Sequence, residues 1–216
     1  MGIARQTWHL AVLAFGFVAS LLVYSHVFGP YLTWEGEPRS ARILTLFLLP
    51  LTACVIYFLL GSLRTPRRGS PPDQAADGAI DDIVFCILLF LISVHVIVLA
   101  VLLEVEAVQS WASRGVVVLV GLTLIAVGNL LPRTRPNVAL GIRTSRTLVD
   151  RQLWMLTHRV GGYVAVAVGS ITIVSGLFLA GPQAAALPGI AFLAGAGVLV
   201  ICYWRFTRVS TNSPQV

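Results

Sequence analysis

Between Gly128 and Gly162 the chain reads GNLLPRTRPNVALGIRTSRTLVDRQLWMLTHRVGG, and its capacity for specific chemistry is concentrated there. Six arginines, Arg133, Arg135, Arg143, Arg146, Arg151 and Arg159, share the stretch with a single acidic side chain, Asp150. A guanidinium offers a planar fork of N–H donors, so it grips phosphate or carboxylate oxygens in pairs where an ammonium acts as a point charge. The whole chain has fifteen arginines and no lysine. Coding bias explains that composition simply; selection for bidentate anion binding is the alternative, and position has to separate them. Arg143, Arg146, Arg151 and Arg159 fall close to where lipid headgroups would lie, so anionic lipid is a candidate ligand, against a loop that merely sets topology.

The same stretch is also rich in residues that fix backbone shape. Pro132 and Pro136 stop a helix and hold the chain extended. Asn137 and Gly141 suit turns that need permissive backbone angles. Thr147, with Asp150 three residues on, has the pattern of an N-cap, which predicts a new helix from about Thr147. That helix would align Leu148, Gln152, Met155 and Arg159 on one stripe and Trp154 with His158 on another, with Trp154 anchoring at the membrane interface.

The elements that must position this loop follow from composition. The chain has 216 residues, 57% hydrophobic and 11% charged, with a mean hydropathy of +0.87. A soluble domain is nearer about 25% charged, so too few charged side chains remain to cover a water-facing surface. Six uncharged runs approach the roughly 20 residues that a helix needs to cross a bilayer. They are Trp8–Phe28, Ile43–Leu63, Ile83–Leu103, Gly115–Leu131, Gly161–Ala180 and Ala186–Trp204. The first is too long for the core of a signal peptide and is read as a retained helix. The expected fold class is therefore all-α, a polytopic membrane protein with six transmembrane helices. Twelve of the fifteen arginines lie on the N-terminus, the second and fourth loops and the tail, and three on the opposite side. That asymmetry places both termini, and the arginine loop at 132–160, in the cytoplasm of a plasma-membrane protein.

The Pro71-Pro72 pair and its polar neighbours mark a flexible linker at 69–79, between a two-helix unit at 1–68 and a four-helix unit at 80–216. In the fifth span Gly162, Ala165, Gly169, Thr172 and Gly176 line one face, where another helix can approach closely, with Ala191 and Gly195 of the sixth span as a matching surface. Packing within one bundle and homodimerisation both use such a face. Cys54, Cys86 and Cys202 lie in apolar runs without ligand spacing and read as core residues.

Two further polar groups invite a functional reading. His95 lies inside the third span, where it either bonds to a neighbouring helix or, with Glu104, serves a proton or ion pathway. Nine residues separate the two, about 13 Å along a helix, so they cannot touch. Glu35, Glu37, Glu104 and Glu106 fall on the expected outer side, where they could meet a cationic peptide or simply end helices. No metalloprotease, serine-hydrolase or phosphate-loop motif occurs, and no carboxylates pair within a span. We expect no enzyme activity, no cofactor and no metal site.

Asn129, Pro132-Arg133, Arg135-Pro136-Asn137, Gly141-Ile142-Arg143-Thr144, Thr147-Leu148, Trp154, Thr157-His158-Arg159 and Gly161-Gly162 together resemble the signature of the SdpI/YfhL membrane proteins. Ser145 and Arg146 depart from it, standing where the family carries proline and an aromatic. The N-terminal unit is similar to a small domain of unknown function that often precedes this signature, through Gly36-Glu37-Pro38, Leu48-Leu49-Pro50 and, more weakly, His26. The resemblance implies a multi-pass plasma-membrane protein that confers immunity to a secreted antimicrobial peptide and can work with a cognate transcriptional repressor. On that basis the partners expected are the lipid bilayer, a peptide toxin outside, and a repressor or anionic lipid inside, without direct nucleic-acid binding. Arg133, Arg143 and Arg159 would bind, while Pro132, Pro136 and Gly141 would shape the loop. A small transporter using His95 and Glu104, and a structural membrane subunit, are the alternatives.

Overall fold

The computed structural model describes residues 3–27, 39–62, 74–137, 141–179 and 183–212, and every regular element among them is helical. In order these are α1 (Ile3–Val27), α2 (Arg39–Ser62), α3 (Gln74–Leu102), a single turn α4 (Glu106–Gln109), α5 (Ala112–Leu130), a 3-10 turn (Leu131–Arg133), α6 (Arg151–Phe178) and α7 (Gln183–Asn212). Six helices are long and apolar enough to cross a membrane, over Gln6–Tyr24, Ile43–Gly61, Gly78–Leu102, Ala112–Arg133, Arg151–Phe178 and Ala186–Arg208. Leu22, Phe58, Phe178 and Leu193 are mostly exposed on them. Such a surface is solvated by lipid rather than water, so this is an all-α, multi-pass membrane protein.

Contacts gather the chain into two units, Met1–Ser62 with Val84–Val116, and Leu63–Ile83 with Val117–Val216. Of the expected linker, residues 69–73 lie outside the described residues and 74–79 form the first turns of α3. Glu35, Gly36, Glu37 and Pro38 also lie outside them.

In the first unit, Leu13, Ala53, Val84, Leu88 and Ile92 form one buried cluster, and Val23, Leu46 and Leu99 a second. Pro50 interrupts α2. Proline has no N–H, so the carbonyl four residues back, that of Leu46, loses its helical partner in a place without water. The fully buried Ser20 of α1 donates to that carbonyl at 2.6 Å and lies 3.0 Å from its own Gly16 carbonyl. The same hydroxyl oxygen is 2.8 Å from His95 Nε2. A serine has one proton, and neither carbonyl can donate, so His95 must supply the N–H from Nε2. In the neutral ring this leaves Nδ1 a lone pair, and among the described residues that buried atom has no hydrogen-bond partner.

In the second unit α5 and α6 run antiparallel with glycine at the crossings. A Cβ on Gly128 would stand 2.9 Å from the Gly162 carbonyl, and one on Gly169 would stand 2.6 Å from the Gly121 carbonyl. The small-residue face of α6 thus seats α5 of the same unit, instead of the Ala191–Gly195 surface; Gly195 fits over Val164. A face covered in this way is not available to a second copy. Gly161 and Gly162 lie inside α6, where Leu131 and Ile142 pack on the first and Gly128 on the second. At the far end Pro188 frees the Ala184 carbonyl of α7, and the buried Ser175 donates to it at 2.8 Å. One device recurs in both units: a buried serine on one helix replaces the hydrogen bond that a proline removes from the next.

Candidate functional site

The antiparallel α5–α6 pair brings the two ends of the arginine loop together. Pro132 turns the end of α5 into the 3-10 turn, closed by the Thr134 amide at 3.2 Å and its hydroxyl at 2.8 Å on the Leu131 carbonyl. The freed Thr134 carbonyl then accepts the indole N–H of Trp154 at 3.0 Å. Trp154 is therefore not an interfacial anchor: it is fully buried and stacked on His158, with ring centroids 3.8 Å apart. An indole whose N–H is satisfied inside the protein has no need of the headgroup region.

His158 is equally buried and joins the loop to α6. The Ile142 amide can only donate, so Nε2 accepts from it at 3.1 Å. The proton is then on Nδ1, which donates to the Trp154 carbonyl at 2.9 Å. Gly141 has φ +105°, which only glycine adopts readily, and a Cβ there would overlap His158 Nε2. The backbone must pass over the imidazole at this point, and glycine permits it.

Thr147 does not cap a helix. It is fully buried, accepts from the Thr144 amide at 2.8 Å and lies 3.1 Å from the Ile142 carbonyl. Its own amide donates to Thr144 Oγ1 at 3.1 Å, and Tyr203 of α7 donates to the same oxygen at 3.1 Å. The cap is Asp150, whose Oδ1 accepts from Gln152 and Leu153 amides at 2.8 and 3.0 Å. A threonine two hydrogen-bonded turns deep in the loop is already committed, and α6 begins at Arg151. Backbone bonds from Leu148 to Thr144 and from Asp150 to Arg146 close the turn. The atypical Ser145 and Arg146 stand exposed upon it.

The remaining motif residues are placed as follows. Asn129 is exposed and donates to the Ile125 carbonyl at 2.9 Å; Asn137 donates to the Arg135 carbonyl at 2.8 Å. Thr157 is buried and back-bonds to Leu153 at 2.6 Å. Arg133, Arg143 and Arg159 are exposed, and Arg159 Nε donates to Tyr163 Oη at 3.3 Å. Arg133 lines a pocket of about 190 Å³ together with Arg151, expected near the lipid headgroups, and Arg135, for which no binding role is expected; Arg143 and Arg159 are not among its walls. A signal was available: Arg135 stands two residues after Arg133, and Arg151 directly follows the acidic cap. Tyr203 and Thr134 gave none, because their roles depend on which helix lies beside the loop.

His95 and Glu104 do not form a joint site. Glu104 is exposed in a left-handed conformation, φ 56°, at the end of α3. Its amide reaches the Val101 carbonyl at 3.0 Å and the Val105 amide reaches Ala100 at 3.1 Å, the pattern of a Schellman helix stop. Among the described residues no group of three histidine, cysteine or acidic side chains could hold a metal ion.

A six-span helical membrane protein with a shaped, arginine-bearing loop between its fourth and fifth spans is the class that fold and site define. Residues 133–203 match the model of the SdpI/YfhL protein family, so the match runs from the loop through most of α7. The chain is also similar to the immunity protein SdpI of Bacillus subtilis (strain 168), 24% identical over 176 residues, covering 78% of this chain and 80% of that one. Over residues 133–203 the chain is similar to the SdpI/YfhL proteins, and its six apolar helices make it a multi-pass protein of the plasma membrane. No solved structure matches it.

Proposed function

We propose that this chain acts in the membrane as an immunity and signalling protein, giving resistance to a secreted antimicrobial peptide. The similarity to an immunity protein across 78% of the chain carries the reading. The loop adds to it. Trp154, His158 and Thr147 form its interior, with Gly141 passing over the imidazole, so Arg133, Arg143 and Arg159 stand outward on a surface of fixed shape. In this reading the loop faces the cytoplasm and presents those arginines to a repressor or to anionic lipid, while the outer helix ends meet the peptide. No catalytic step is involved. The test is expression of Arg143→Ala and Arg159→Ala beside wild type in a toxin-sensitive host. We expect both variants to insert normally and to lose protection; equal protection would remove the arginines from the binding surface.

A second reading rests on the unpartnered Nδ1 of His95 inside a membrane span, an atom suited to take up a proton or a water. It makes the chain a small proton or ion pathway through the first unit, without Glu104. His95→Ala should then abolish flux in reconstituted vesicles with insertion unchanged, and absence of flux in wild type under an imposed gradient would end it.

A further inference from the structure

We propose that the pocket beneath the 3-10 turn is a phosphate-binding site, with Arg133, Arg135 and Arg151 as its ligands. Three guanidinium-bearing side chains line a space of about 190 Å³, and no acidic residue is among its walls. Guanidinium forks suit tetrahedral oxyanions, and several of them around one small cavity favour an anion there. The nearest carboxylate in sequence, Asp150, has Oδ1 committed to the amides of Gln152 and Leu153. Arg151 is the first residue of the 28-residue α6.

Size and position narrow the ligand. Drug-sized molecules occupy roughly 300 Å³ or more, whereas this space holds roughly six waters' volume, which suits a single phosphate group. The walls are also rigid: Pro132 and Pro136 flank the arginines, and Trp154 is pinned through Thr134. Two segments long and apolar enough to cross a membrane end here, one at Arg133 and the other at Arg151, which favours a position near lipid headgroups. Met155, 48% exposed, forms an apolar lip. The phosphate can belong to a phospholipid headgroup or to free phosphate. This inference rests on the reading of the loop as a surface for anionic lipid and names its site; the immunity role can fail alone, since protection and phosphate binding are separate measurements.

The test titrates the full chain, purified in a neutral detergent, with dihexanoyl phosphatidylglycerol, dihexanoyl phosphatidylcholine and inorganic phosphate, by calorimetry. Saturable binding of phosphatidylglycerol alone would assign the site to an anionic headgroup, and equal binding of inorganic phosphate would assign it to the free ion. In either case Arg133→Gln combined with Arg151→Gln should weaken binding by about tenfold or more, as loss of charge-assisted hydrogen bonds requires. Arg205→Gln combined with Arg208→Gln removes the same charge from α7 and should leave it unchanged. Met155→Trp keeps every arginine and fills the mouth, so it should also block binding. No saturable binding of phosphatidylglycerol or phosphate by wild type would overturn the proposal. So would an equal loss in the α7 control.

Discussion

At the scale of single residues, His158 and Gly141 act as one device. The imidazole connects the Ile142 amide to the Trp154 carbonyl, and glycine lets the backbone lie against it. Replacing His158 with leucine leaves the Ile142 amide without its acceptor, while the Trp154 carbonyl keeps its helical partner, which should destabilise by about 1–3 kcal/mol. Gly141→Ala should cost about 2 kcal/mol or more, since a left-handed conformation alone costs an L-residue about 1–2 kcal/mol and the methyl also meets the ring. Both are measurable as a lowered unfolding temperature in detergent, with far-ultraviolet dichroism confirming that the helices remain. Glu104 predicts the opposite sign. It occupies a left-handed helix stop and puts negative charge at the negative end of α3, so Glu104→Gly should stabilise by about 1 kcal/mol. A fall in unfolding temperature would show that the carboxylate makes an interaction worth more than its strain.

At the scale of elements, proline and serine are coupled across helices, and the coupling is measurable. Ser20→Ala should destabilise by about 1–3 kcal/mol because the Leu46 carbonyl stays buried without a partner. In a Pro50→Ala background the helix supplies its own N–H, so the same change should cost much less; additive losses would show that the serine matters only through His95. Which parts of this were legible in the sequence depends on the same distinction. The number of spans and the shaped character of 132–160 follow from apolar runs and from proline and glycine positions, because those act locally; the fifth span, expected from Gly161, begins at Arg151 because polar residues buried under the loop extend its helix. Trp154 and His158 share a stripe, as periodicity requires, but periodicity does not say what covers a stripe. Only the fold of the loop over α6 turns an expected interfacial face into an interior one. Thr147 was misread for a similar reason: its pattern with Asp150 fits a cap, yet the turn at Thr144 had already taken its hydroxyl. The glycine face of α6 was visible, whereas its partner, α5 rather than α7, depended on the antiparallel pairing of Gly121 with Gly169 and Gly128 with Gly162.

At the scale of the whole molecule, the distribution of arginine makes a claim about sidedness that the function depends on. Twelve of fifteen arginines fall on the side of the arginine loop, and positive charge in short loops is retained on the cytoplasmic face during insertion. The loop should then be inside, together with both termini, and α4 with Glu104 and Glu106 should be outside. Cysteine labelling decides it, with Cys54, Cys86 and Cys202 first replaced by serine or alanine. We expect Gln109→Cys on α4 to react with a membrane-impermeant maleimide in intact cells. Ser145→Cys, exposed in the turn of the loop, should react only after permeabilisation. If the reactivities are reversed, the arginines face outward, and the surface proposed to meet a cytoplasmic repressor becomes one that meets the extracellular medium. The phosphate pocket would survive that reversal, because anionic headgroups and phosphate can approach it from either face, whereas the repressor role would not.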